Sequence, residues 1–186
     1  MSAGSIDDVR SARRILCFGA TGSGKSTLAT ALGERLGLPV VLIDEIAWQP
    51  GWRQLDREEL GEVVLPLLDG EGYVFDSVYG GQNADALARV DVVVALDYPR
   101  AVSLARLVRR TWRRIRTREL VCNGNVETLG RVLSADSIVA WHVRSWRSKR
   151  ERMRRWHADP AAPPVLLLPR PADARALLDA LPAGSR

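Results

Sequence analysis

The chain reads as an α/β fold, a five-stranded parallel sheet flanked by helices. Two observations lead there. Five short apolar runs alternate along the chain with stretches of helical spacing. Strands of that kind are buried on both faces, as in a parallel sheet covered by helices. A glycine-rich turn also joins the first apolar run to the first helical stretch. With 186 residues, 46% of them hydrophobic and 26% charged, the chain suits one domain with a core of its own. Its longest apolar runs fall far short of the roughly 20 residues that cross a bilayer, so no membrane role is expected. Residues 1–14 are polar and lack the apolar stretch of a signal peptide. Cys17 and Cys122, the two cysteines, build no disulfide framework, and the cytoplasm is the expected compartment.

The first strand is Arg14-Ile15-Leu16-Cys17-Phe18. Gly19-Ala20-Thr21-Gly22-Ser23-Gly24-Lys25-Ser26 follows and matches G-x-x-x-x-G-K-[ST], a phosphate-binding loop. Residues 27–36 then have helical spacing, with Leu28, Ala31, Leu32 and Leu36 on one face. Glycines allow the backbone to approach a ligand, so successive amide N–H groups converge on phosphate oxygens beside a helix N-terminus. In such a loop the Lys25 position reaches the β- and γ-phosphates, and the Ser26 hydroxyl faces Mg²⁺.

Gly37-Leu38-Pro39 leads into Val40-Val41-Leu42-Ile43, a second strand ending at Asp44. Asp56-Arg57-Glu58-Glu59 has the form of a capping box and opens a helix with Leu60, Val63, Val64, Leu67 and Leu68 on one side. Pro66 weakens the end of that helix. Tyr73-Val74-Phe75-Asp76 is the third strand, residues 84–89 a short helix, and Val92-Val93-Val94-Ala95-Leu96 the fourth strand. Pro99 suits the first turn of a helix over 100–116. Residues 119–133, with Asn123-Gly124-Asn125, have no sustained period and read as a mobile loop. A long helix over 135–156, the strand Val165-Leu166-Leu167-Leu168 and a helix over 172–181 complete the chain. Both ends are low in complexity.

Ligands of such sheets bind beyond the carboxyl ends of the strands. That rule selects residues 19–26, Asp44, Asp76, Asp97 and Arg170. Asp44 could orient an acceptor hydroxyl, take its proton, or hold Mg²⁺-bound water; its plain alternative is a turn carboxylate. Asp76 has the pattern of the acid that helps hold Mg²⁺ in phosphate-loop enzymes. Asp97 is explained by the helix start that follows it. Trp48 and Trp52 bracket Gln49-Pro50-Gly51 and could wall an acceptor or plug the core. The remaining tryptophans read as packing residues, and His142 and His157 as structural.

Net charge is +5, unevenly spread: residues 106–156 hold fourteen arginines and one lysine against four acids, a net +11, leaving −6 elsewhere. A basic block beside a phosphate loop points to polyanionic ligands. Arg106, Arg109, Arg110 and Arg113 precede the loop at 119–133, and Arg144, Arg147 and Arg150 follow it, at spacings that share a helix face. Guanidinium groups suit phosphate oxygens and the charge spread over a transferring phosphoryl group. Closing the loop would bring them in and expel water.

The stretches 19–27, Asp44 to Trp52 with its Trp-x-Pro-Gly-Trp ending, Asp76-Ser77-Val78-Tyr79-Gly80-Gly81 and Leu96-Asp97-Tyr98-Pro99-Arg100 resemble the adenylate-kinase-like P-loop phosphotransferases. Within them the chain looks closest to the bacterial DNA topology modulation protein group. The resemblance implies a single nucleoside-monophosphate-kinase-like domain over residues 1–186, with an arginine-bearing lid near 117–134. It implies phosphate and nucleotide contacts from Gly19, Ala20, Thr21, Gly22, Ser23, Gly24, Lys25, Ser26 and Thr27, with ATP as donor. Arg106, Arg109 or Arg110 would lie near its phosphates or base, and Arg170 beside the adenine. Arg144 and Arg147 match arginines after the lid, and Asp44, Trp48, Trp52, Asp76 and Tyr79 would border the acceptor. The group has Asp-Gly-Asn-Tyr where this chain has Asp76-Ser77-Val78-Tyr79.

The function these residues favour is ATP- and Mg²⁺-dependent phosphoryl transfer to a small-molecule acceptor such as a nucleotide. The competing reading is a nucleotide-dependent nucleic-acid-binding or regulatory protein, motivated by the basic segment.

Overall fold

A computed structural model of the protein describes residues 3–132, 134 and 137–182. In chain order the elements are α1 (Ile6–Ser11), β1 (Arg14–Gly19), α2 (Lys25–Leu36), β2 (Val40–Val41), α3 (Ile43–Ala47), β3 (Trp48–Gln49), β4 (Arg53–Gln54), α4 (Arg57–Leu68), β5 (Tyr73–Phe75) and α5 (Asn83–Leu87). Next come β6 (Val92–Leu96), α6 (Arg100–Thr117), β7 (Leu120–Val121), β8 (Asn125–Val126), α7 (Leu129–Val132), α8 (Ile138–Ala158), β9 (Val165–Leu168) and α9 (Pro171–Ala180). Among the described residues no helix is long and apolar enough to cross a membrane.

The sheet is parallel, in the order β2-β5-β1-β6-β9. The central pair runs in register from Ile15 opposite Val92 to Gly19 opposite Leu96. Hydrophobic layers cover both faces, which explains why these strands lack alternation. One layer gathers Leu16, Phe18, Phe75, Val93, Met153 and Trp156, the other Ile15, Cys17, Leu32, Val74, Val94 and Leu177. The Asp56–Glu59 capping box is present, and α4 carries Pro66 in its last turn. That fold is the α/β architecture expected from the apolar runs.

The polar start of the chain adds a helix that was not anticipated: Ser5 and Asp8 form a capping box, and α1 buries Val9 in the core. Three local expectations are corrected. The second strand ends two residues early, because the Ile43 N–H leaves the ladder and donates to Asp76 Oδ1 at 2.9 Å. Asp44 therefore stands in the first turn of α3 rather than at a strand end. Residues 119–133 do not form a patternless loop: β7 and β8 make an antiparallel hairpin, and α7 follows. The expected start of the long helix at Ala135 and the low-complexity tail beyond Pro182 lie outside the described residues, as does Leu133.

Candidate active site

The phosphate loop leaves β1 at Gly19 and enters α2 at Lys25. Gly22 and Gly24 have φ of +80° and +99°, a region side chains disfavour. A Cβ on Gly22 would stand 2.5 Å from the Ser103 carbonyl oxygen of α6, so glycine is also needed for that close packing. Ala20 and Ser23 are buried, while Ser26 and Thr27 are exposed at the start of α2. A second support comes from α8, where buried His142 donates through Nδ1 to the Thr21 carbonyl at 2.9 Å.

The third strand delivers Asp76 to the same loop. Its carboxylate is buried, accepting from the Ser26 hydroxyl at 2.5 Å and from the Ile43 N–H. Burial raises its pKa; the bonds from Ser26 and Ile43 and the Lys25 charge oppose the rise. Burial lowers the pKa of Lys25, against the attraction of Asp76 and Asp44, and its ammonium donates to the Ala20 carbonyl at 3.3 Å.

A hydroxyl and a carboxylate held together beside a phosphate loop fit Mg²⁺. That ion takes one or two protein ligands and completes its shell with phosphate oxygens and water. Accordingly, no group of three or more His, Cys, Asp or Glu side chains gathers as a metal cage among the described residues. Ser26 and Asp76 are the residues that would hold it.

Asp44 is exposed and accepts from the Tyr79 hydroxyl at 2.9 Å. Burial, and then the Asp44 carboxylate, raise the Tyr79 pKa, so the phenol stays a donor. Around Asp44 lie cations from three elements: Lys25 of α2, Arg110 of α6 and Lys149 of α8 all feel its charge. Burial and neighbouring Arg114 lower the Arg110 pKa, and Glu127 and Asp44 resist that. Arg106 lies against the loop, its Nη2 2.9 Å from where a Cβ on Gly24 would stand.

Other anticipated arginines are arranged differently. Arg109 and Arg144 are exposed on α6 and α8. Arg147 points to solvent, its side chain 85% exposed, and pairs with Glu151 one turn along at 2.8 Å. Arg170 folds onto Asp173 and caps its own helix. Arg150 and Arg154 are spent on buried Asp97, at 2.7 and 2.8 Å, and lock α8 to the end of β6.

The two tryptophans form a platform for the hairpin. Their rings meet edge to face, centroids 5.8 Å apart. The Trp52 backbone N–H donates to Asn125 Oδ1 at 2.8 Å, and its indole donates to the Val126 carbonyl at 3.3 Å. Arg131 of α7 stacks over the Trp52 ring at 4.5 Å. Asn123 donates to the carbonyls of Glu45 and Trp48, and Asn125 to those of Gln49 and Cys122. Residues 120–131 are thereby clasped over the segment that carries Asp44.

Sequence reasoning missed the roles of Lys149, Asn123 and Asn125, and for His142, read as structural, it missed the partner at Thr21. Only the Asn-Gly-Asn turn gave a local signal, and it was read as mobility.

No protein-family model and no curated protein matches the chain. Solved structures do. Shikimate kinase from Acinetobacter baumannii in complex with shikimate is similar at a TM-score of 0.56 and 20% identity, over 94% of this chain and 93% of that one. A gluconokinase from Sinorhizobium meliloti 1021 is similar at 0.51 and 16%, over 90% and 91%. Shikimate kinase from Bacteroides thetaiotaomicron gives 0.51 and 16%, over 91% and 95%. At these identities the likeness establishes a P-loop kinase-like fold and nothing narrower.

Proposed function

We propose that this chain is an ATP- and Mg²⁺-dependent phosphotransferase acting on a small-molecule acceptor. The observation that carries the reading is the meeting of two elements at the phosphate loop. Ser26 and Asp76 are hydrogen-bonded where a metal–phosphate complex would sit, and Asp44 stands within reach of the Lys25 field. Phosphoryl transfer demands mainly positioning and stabilisation of spread charge.

In this reading the loop amides and Lys25 bind the donor phosphates. Bound Mg²⁺, held by Ser26 and Asp76, would neutralise phosphate charge. Asp44 orients an acceptor hydroxyl, and its bond from Tyr79 fixes the carboxylate for that task. Arg106 and Arg110 supply positive charge from α6, with Arg109, Arg144, Arg147 and Arg170 available at the margins on closure. The whole chain acts as one domain whose lid, residues 117–134, excludes water. The Asp44-to-Trp52 stretch supports assignment to the DNA topology modulation group of adenylate-kinase-like proteins, and two free cysteines suit the cytoplasm.

A coupled assay over nucleoside monophosphates and small alcohols tests the reading. Lys25→Ala should lower turnover by at least about 10²-fold. Tight ATP binding without a phosphorylated product from any acceptor would count against it.

Nucleic-acid binding has one observation in its favour, exposed Trp112 and Trp141 among arginines. Against it, Arg113, Arg114, Arg147, Arg150 and Arg154 are already paired with carboxylates. Oligonucleotide affinity that falls steeply with salt would revive it.

A further inference from the structure

Of 27 basic residues, only two are lysines, Lys25 and Lys149. The fold brings both to one site. Lys25 belongs to the phosphate loop; Lys149 comes from α8, far away in sequence, and is close enough for the Lys25 charge to act on it.

Helix α8 is anchored along its length. His142 holds the Thr21 carbonyl, Trp146 donates to the Tyr98 carbonyl at 3.3 Å, and Arg150 and Arg154 grip Asp97. His142, Lys149, Met153 and Trp156 share one face at helical spacing, and all but Lys149 are buried. A side chain on a helix leans toward its N-terminus. The Lys149 ammonium does so, reaching within 5.9 Å of the Trp141 ring centroid. Trp141 is the chain neighbour of His142, which holds the phosphate loop through the Thr21 carbonyl.

Among the described residues no carboxylate forms an ion pair with Lys149, although the arginines on either side of it in α8, Arg147 and Arg150, both have one. Burial, and then the Lys25 charge, push its pKa down to about 7, with Asp44 opposing. A half-buried ammonium with a like charge beside it and no paired anion is an incomplete arrangement. An anion arriving between the two lysines completes it. A compact ammonium also suits a point contact with one phosphate oxygen better than a planar fork does.

We propose that Lys149 is a second phosphate-binding ammonium of this site, contacting the terminal phosphate of the donor triphosphate together with Lys25. This rests on the phosphotransferase reading and assigns it a binding residue outside the loop and the arginines.

The scarcity of lysine makes the test direct. Reductive ¹³C-methylation labels Lys25, Lys149 and the chain terminus, and Lys149→Met identifies the Lys149 resonance. Adding Mg²⁺ with adenylyl imidodiphosphate, which keeps a terminal phosphate, should move that resonance and raise its titration midpoint; Mg²⁺ with ADP should leave it in place. By calorimetry, Lys149→Met should weaken adenylyl imidodiphosphate at least tenfold and ADP less than twofold. Arg155→Ala, which removes an exposed cation from the same helix, should change neither. Should Lys149→Met fold poorly, Lys149→Arg, which keeps the charge and carries no label, assigns the resonance in its place. Binding of both nucleotides with an unmoved Lys149 signal, or an equal shift with each, overturns this inference alone. Binding of neither by the wild-type chain overturns the phosphotransferase reading and this inference with it.

Discussion

The phosphate loop and the β7–β8 hairpin solve the same backbone problem in opposite ways. Each strings together residues of positive φ: Gly22 and Gly24 in one, Cys122, Asn123 and Gly124 in the other. In the loop, glycine leaves amide groups free for a ligand, and the packing of α6 and α8 holds the turn from outside. In the hairpin, asparagine tolerates the left-handed region and its side-chain amide is consumed by carbonyls of the protein. The first arrangement is wedged into the core. The second rests on a few side-chain hydrogen bonds and the Trp52 platform, and such segments are the ones that open locally. A turn wedged rigidly into the core and a releasable strap over the Asp44 segment are what the contrast teaches.

Gly22→Ala should break the wedged half most severely. The added Cβ would meet Ser103 and Leu107 of α6 while φ stays at +80°. Strain and overpacking together should cost on the order of 3 kcal/mol in urea unfolding. A cost under about 1 kcal/mol would mean that the loop is not wedged against α6 as described.

Asn125→Ala should release the strap with a smaller, local effect. It removes one bond from Trp52 and two bonds to Gln49 and Cys122, leaving the Trp52 N–H without its partner. A loss of about 1–3 kcal/mol is expected, since an orphaned buried group costs its full desolvation. Hydrogen exchange at residues 120–132 should quicken while β1 and β6 stay protected. Uniform loss of protection across the sheet would erase the distinction between the two regions. Asn123, which is exposed, should matter less: its replacement by Ala should cost about 0.5–1.5 kcal/mol.

The mildest test concerns Asp76, whose burial opposes its charged form. Its folded pKa lies above the ordinary aspartate value of 3.8. The folded protein therefore keeps this proton to higher pH than the unfolded chain does. Its contribution to stability is full below about pH 3.8 and is lost as pH climbs through the raised value. Asp76→Asn should remove that loss, leaving the ligand-free protein as stable as wild type or more so at neutral pH, while Mg²⁺-dependent nucleotide affinity falls. Thermal melts from pH 4 to 8 read the first effect and calorimetry the second. A variant less stable than wild type at every pH would show that the carboxylate charge serves folding instead.

Much of the phosphate loop and its surroundings was legible in the residues alone. The strand, glycine turn and helix around Lys25 are contiguous, and burial on both faces imposes continuous apolar runs that can be read without a structure. Asp76 was recognisable because it directly follows such a run. The segment that carries Asp44 was not legible in this way. Val40 to Ile43 has the composition of a strand, yet a carboxylate from another strand draws Ile43 out of the ladder.

The deeper asymmetry is one of distance along the chain. Local composition specified the phosphate loop and the Asp56 capping box, whose partners lie within a few residues, and burial on both faces marked the core strands as apolar runs although they pair with strands far along the chain. Folding alone brought the asparagine strap to carbonyls 75 to 78 residues away, and His142 to a carbonyl 121 residues away. Spacing along α8 made its faces, but nothing in that spacing chose which cation would turn inward. The choice fell to packing: Met153 and Trp156 had to reach the core, and Lys149 stands one turn before Met153 on the same face.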